Sequence, residues 1–130
     1  MTTRSDAIEV LRNAGVTNPV RVAELVRSTI GTLGLDLSDL VVLTEAASGP
    51  FVVTPVISAL AGARRTVAIT GESRFATTQD VIDQTRALQT LCGLSDAVEI
   101  VTGRSIDLFS EADIVTNLGF VRPIDAQAVE

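Results

Sequence analysis

The sequence predicts a single α/β domain, a three-layer sandwich on a parallel sheet of four strands in the order 3-2-1-4, with two helices before the first strand. Two observations predict it. Four short apolar runs, rich in β-branched residues and leucine, stand at 40–44, 66–70, 98–102 and 112–117. Unbroken runs of this kind suit strands buried on both faces, as in a parallel sheet. Between the first three lie segments of helical period, bounded by residues that start and stop helices, and strand–helix alternation builds parallel β-α-β units. Right-handed crossovers then make the first two strands parallel neighbours.

The chain divides into a helical hairpin over 1–36 and a β/α half over 37–130. Ser5 is placed to cap a first helix over about 6–14, with Ala7, Ile8, Leu11 and Ala14 as its apolar face and Gly15 as its stop. Asn18 and Pro19 read as the N-cap and first residue of a second helix. Its apolar positions are Val22, Leu25, Val26, Thr29, Ile30 and Leu33, and Gly34 ends it. Gly31 inside it costs about 1 kcal/mol relative to alanine. The hairpin is expected to cover a face or edge of the sheet, with docking to a partner as the other reading.

The helix after the first strand has two starts. Gly49 can cap it with Pro50 at the first position, or Thr54 can cap it with Pro55 there; proline lacks only an N–H that is orphaned at that position. The first start puts Pro55 inside the helix, where it kinks it. The second is preferred, with 49–53 as a widened loop and Gly62 at the end. After the second strand, Thr77 or Thr78 caps a helix over 78–92. Val81, Ile82, Thr85, Leu88, Leu91 and Cys92 form its apolar side, Gln79, Asp83, Arg86 and Gln89 its polar side, and Gly93 its stop. Residues 105–111 leave room for one or two helical turns, and 123–130 read as the start of a further helix. The fourth strand would then carry an open apolar edge, which invites pairing. A second copy in a homodimer, or a further segment of a longer chain, is expected to cover it.

Composition removes whole classes of function. The chain contains no His, Lys, Tyr or Trp, so no histidine base, lysine Schiff base, P-loop lysine or His-bearing zinc site comes from it. Ten arginines face sixteen acids, for a net charge of −6; a nucleic-acid surface needs a basic patch instead. The single cysteine, Cys92, cannot form an internal disulfide and reads as a small buried apolar residue. With no apolar run near the ~18 residues that cross a bilayer and no secretion signal, a cytoplasmic protein without a membrane partner is expected.

Ligands of open α/β sheets sit outside the carboxyl ends of the strands, so the strand exits supply the candidate site. The first exit offers Glu45, Ser48 and Gly49, where a loop entering a helix presents N–H groups to an anion. The second offers Glu72 or Ser73 for ribose hydroxyls and Arg74 for a phosphate. The third offers Gly103, which permits close approach of an adenine or ribose, and Arg104. The fourth offers Asn117, Gly119, Phe120 and Arg122. Arg64 and Arg65 precede the second strand and fall at the opposite end of the sheet. No acid–base pair for catalysis is visible.

Residues 40–122 resemble the Rossmann domain of NAD(P)-dependent dehydrogenases of the 2-hydroxyacid type. The resemblance lies in Ala112-Asp113-Ile114-Val115-Thr116 and in the loop Ala46-Ala47-Ser48-Gly49-Pro50-Phe51, which falls where Gly-x-Gly-x-x-Gly is expected. It implies an oxidoreductase-like protein holding NAD(P), with Ser48 and Gly49 at the phosphate bridge. Phe51, at a glycine position of that pattern, is expected to block close approach of helix to strand or of a pyrophosphate. The same span is similar to class I S-adenosylmethionine-dependent methyltransferases. Glu45–Phe51 sits at that family's glycine loop, Gly93–Gly103 at its third-strand entry, and Asn117-Leu118-Gly119-Phe120 at its Asn-Pro-Pro-Phe motif. That resemblance implies S-adenosylmethionine as the cofactor. The expectations, in order, are NAD(P), S-adenosylmethionine, and a non-catalytic scaffold.

Overall fold

The computed structural model describes residues 3–103, 106–116 and 121. The strands are β1 (Val41–Glu45), β2 (Arg65–Thr70), β3 (Val98–Thr102) and β4 (Ile114–Val115). They form one sheet in the order β3-β2-β1-β4, parallel throughout, as the sequence predicts. Helices α3 (Val53–Leu60) and α4 (Thr78–Leu91) carry the crossovers β1 to β2 and β2 to β3, and α5 (Ile106–Glu111) lies between β3 and β4. Strand alternation divides the core. Leu43, Val67 and Ile69 meet Phe109 of α5 on one face, while Ala68 and Val98 meet Val81 of α4 on the other. β4 is shorter than the six residues expected. Asp113 and Thr116 flank it, donating their N–H groups to the carbonyls of Val41 at 2.8 Å and Leu43 at 3.0 Å.

The N-terminal helices α1 (Arg4–Asn13) and α2 (Pro19–Leu33) pack chiefly on α3 and α4 instead of on the sheet. Ala7, Leu11 and Ala23 share a buried cluster with Val56, Ala87, Leu88 and Leu91, an outer helical layer over one face of the sandwich. The cap of α1 is Thr3, not Ser5. Thr3 Oγ1 accepts from Asp6 N at 3.1 Å, and the Asp6 carboxylate accepts from Thr3 N at 3.4 Å. This reciprocal box satisfies two orphan donors, which Ser5 without an acid three residues on cannot do. In α2 the cap at Asn18 and the left-handed stop at Gly34 stand as expected. Its buried face, however, is Pro19, Ala23 and Val26, and Leu25 and Leu33 face solvent.

The α-helix after β1 begins at Val53, next to the preferred start at Thr54. The stretch before it is not an open loop but a 3-10 turn over Gly49–Val52 that runs directly into α3. Pro55 falls in the first turn of α3, where its missing N–H is an orphan position anyway. The change from 3-10 to α winding occurs just before it. On α4 the box of Thr77 and Asp80 forms the N-terminus, and Gly93 follows with φ +78°. Gln89 is buried, contrary to its assignment to the polar side. Its Oε1 accepts from Ala97 N at 2.8 Å and so fixes the turn into β3.

Arg27 ties α2 to the far end of α4, its Nη1 donating to the Cys92 carbonyl at 2.7 Å, one of the acceptors a helix end leaves unpaired. Cys92 itself is buried. Burial raises its thiol pKa, with the nearby Arg27 charge acting the other way. The native thiol should therefore react with an aromatic disulfide reagent at least about a hundredfold more slowly than in denaturant, because attack waits on opening. Equal rates would show that the α2–α4 contact is loose. At the amino ends of the strands Arg65 bonds Glu99 at 2.6 and 3.0 Å and Glu111 at 2.8 Å. These pairs engage Arg65 at the end of the sheet away from the rim. Among the described residues no helix is long and apolar enough to cross a membrane.

Candidate functional site

The first strand exit is tightly built. Ala46 is fully buried, and its N–H donates to the Ile69 carbonyl at 3.0 Å. Ser48 is extended, and its hydroxyl makes no capping bond to the turn that follows. Gly49 has φ +63°, a backbone region open to glycine at little cost. Its N–H is not turned out to an anion. It donates to Gln84 Oε1 at 2.9 Å in a buried bond. Phe51 is 65% exposed and does not wedge between helix and strand.

At the second exit the candidate donors and acceptors are likewise engaged. Glu72 accepts from Thr78 N at 3.0 Å. Ser73 Oγ accepts from Phe75 N at 3.2 Å and Ala76 N at 3.3 Å, which closes a local turn. Thr77 Oγ1 accepts from Asp80 N at 3.1 Å, and Asp80 accepts from Thr77 N at 3.0 Å. The start of α4 is thus capped by its own side chains, two of them carboxylates. Arg74 lies over the ring of Phe75, 4.8 Å from its centroid, and both side chains are exposed. Thr70 ends β2 beneath this loop. Its hydroxyl is the one buried side-chain polar atom without a hydrogen bond among the described residues.

A groove of about 720 Å³ opens beside these two loops, between α1 and α4. Ser48, Phe75 and Ala76 enter it from the rim, Asp6 and Asn13 from α1, and Asp80, Asp83, Gln84 and Arg86 from α4. Three carboxylates therefore face one guanidinium. The carboxyl end of α1 adds to this potential: the Ala14 carbonyl lies 3.5 Å from where a Cβ on Gly49 would sit, and a helix carries partial negative charge at that end. Among the described residues no set of three acidic or thiol ligands could hold a metal ion. The volume is that of a small-molecule site, and the charge suits an organic cation.

The fold brings Ser48 into the groove and sets Gly49 behind it. Glu72, Ser73 and Arg74 sit on the loop that supplies Phe75 to the groove. Gly103 follows β3 with φ +78° and open space where a side chain would project, across β2 from the first exit. Asn117, Gly119, Phe120, Arg104 and Arg122 lie outside the described residues. Gln84 was missed in the sequence. It stands three residues after Val81 and four before Leu88, both buried, and that helical spacing marks it as an inward polar residue needing a partner. Comparison with family models, with curated proteins and with solved structures gives no match.

Proposed function

We infer that the rim and its groove bind a phosphate-free, cationic nucleoside ligand of the S-adenosylmethionine type, in a cytoplasmic methyltransferase-like domain. One observation carries the reading: the Gly49 N–H expected at a phosphate bridge, and with it the N–H groups at the start of α4, are engaged by the chain's own side chains. Gly49 N–H is held by Gln84, and the start of α4 is held by Glu72, Thr77 and Asp80. A phosphate placed there would displace these bonds and meet the carboxylates that make them. Asp6, Asp80 and Asp83 instead favour a ligand of positive charge. S-adenosylmethionine carries a sulfonium and an ammonium against one carboxylate. Thr70, with its unpaired hydroxyl, stands at the strand end where ribose is met in this class of fold.

The NAD(P) reading keeps one support, the exposed Arg74, whose guanidinium can pair with a 2′-phosphate. Thermal-shift titration of the chain with S-adenosylmethionine, S-adenosylhomocysteine, NAD and NADP separates the two. A ligand at 100 times its Kd should add about 2.7 kcal/mol of stability. Stabilisation by S-adenosylmethionine, less by S-adenosylhomocysteine, which lacks the sulfonium charge, and none by NAD or NADP is the expected result, weakened in Asp83→Asn and unchanged in Arg74→Ala. Stabilisation by NADP that disappears in Arg74→Ala would overturn it.

A further inference from the structure

β1 is the strand at which the sheet order reverses: β2 and β3 lie on one side of it and β4 on the other. In open α/β sheets such a reversal, at the carboxyl ends of the strands, is where ligands enter. The helices divide there. α5 packs on the face that carries Leu43, and α3 on the opposite face, where Ser58 Oγ and Thr66 Oγ1 bond at 2.9 Å. α3 packs chiefly on β1 and β2. Beside it, over β1 and β4, a pocket of about 300 Å³ remains. Val42 and Ile114, partners across the two strands, line it together with Leu37 and Ile57. Thr44 and Thr116 bring their hydroxyls together in the same pocket, Oγ1 to Oγ1 at 2.9 Å. Among the described residues no charged side chain lines it.

We propose that this pocket binds a small, uncharged, largely apolar molecule whose single hydrogen-bond acceptor, such as a ketone oxygen, is held by the Thr44–Thr116 pair. Two hydroxyls joined by one hydrogen bond use one of their two protons. Whichever threonine donates to the other, one O–H is left over to donate again. A pure hydrocarbon would bury that donor unpaired. An ion would leave water for a lining without a counter-charge. The volume stands at the lower end for small-molecule sites, which sets the size of the ligand. The site is independent of the nucleoside reading, since pocket and rim groove share no lining residue.

The test is an amide-resolved NMR titration of the full chain with cyclohexanone, cyclohexylamine and cyclohexanecarboxylate, which share a ring and differ in the polar group. Cyclohexanone is expected to bind with shifts at Val42, Thr44, Ser58 and Ile114, while the two ions leave these amides unmoved. Thr44→Val alone keeps one O–H, so the informative variant is the double change Thr44→Val with Thr116→Val. Replacing both partners of a bond by apolar groups of the same shape is nearly neutral for the fold. The double variant should bind cyclohexanone about fivefold more weakly, the worth of one hydrogen bond. Thr54→Phe, at a half-buried position of α3 that lines the pocket, should fill it and abolish the response. Silence of the wild type toward cyclohexanone, or shifts confined to other amides, would overturn the proposal. Equal responses to all the probes would overturn it as adhesion to an open apolar surface. Undiminished binding to the double variant would overturn the assignment of the acceptor to the hydroxyl pair.

Discussion

Leu11→Ala is expected to cost about 2–5 kcal/mol of unfolding free energy, the range for removing a large apolar side chain from a packed core. Leu11 lies on the first helix of the chain, where a detachable arm would tolerate the change. Here it is fully buried and belongs to the same cluster as Val56, Leu88 and Leu91, so α1 is part of the domain's core. Urea denaturation should show the midpoint falling with the slope unchanged, which marks a loss of stability without a change in the surface exposed on unfolding. A shift below about 0.5 kcal/mol, the usual effect of a surface substitution, would mean that α1 detaches from α4. The groove would then lose its α1 wall, and the ligand reading would fall with it.

Gln84→Leu is expected to cost about 1–3 kcal/mol, the penalty for leaving a buried donor unpaired. The substitution keeps roughly the volume of the side chain but removes the acceptor of Gly49 N–H, a buried bond of 2.9 Å. Gly49 is held at φ +63° at the point where β1 turns into the helix. Loosening it should also weaken the ligand response of the groove. Hydrogen exchange at the Gly49 amide should quicken in the variant. The exposed neighbour Gln79, changed to leucine, should move stability by no more than about 0.5 kcal/mol. Equal costs for the two glutamines would show that the Gly49 bond contributes nothing.

Much of the fold was legible because its determinants are local. The strands β1, β2 and β3 announce themselves as unbroken β-branched runs, and Thr77, Asn18, Gly34 and Gly93 mark helix ends by chemistry that needs no tertiary contact. Crossover handedness makes β1 and β2 parallel neighbours once those elements are placed, and the order 3-2-1-4 is that of half a doubly wound sheet. Where the reading failed, a long-range or competing local contact decided. Gln84 and Gln89 lie on a helix otherwise read by charge periodicity, and only the positions of Gly49 and Ala97 explain why an amide is buried there. Leu25 and Leu33 satisfy the helical pattern of α2, yet α2 meets its neighbours through Pro19, Ala23 and Val26. At the helix after β1 both prolines fit a helix start, and the 3-10 turn accommodates both.

The candidate site was legible as a place but not as a chemistry. The strand exits were found from topology alone, and Ser48 does enter the groove. The roles assigned to Gly49, Glu72 and Ser73 assumed that their polar groups face outward. Bonds to Gln84, to Thr78 and within the 73–76 turn engage those groups. The expected anion donors are thus used within the chain, and the groove beside them is lined by Asp6, Asp80 and Asp83.

The most direct test of the account is an amide-resolved NMR titration of the chain with S-adenosylmethionine and, separately, with NADP. Binding of the first with shifts at Ser48, Gly49, Phe75, Ala76 and Gln84, and no response to the second, is the result predicted. Shifts at Gly49 and Arg74 driven by NADP, with S-adenosylmethionine silent, would contradict it.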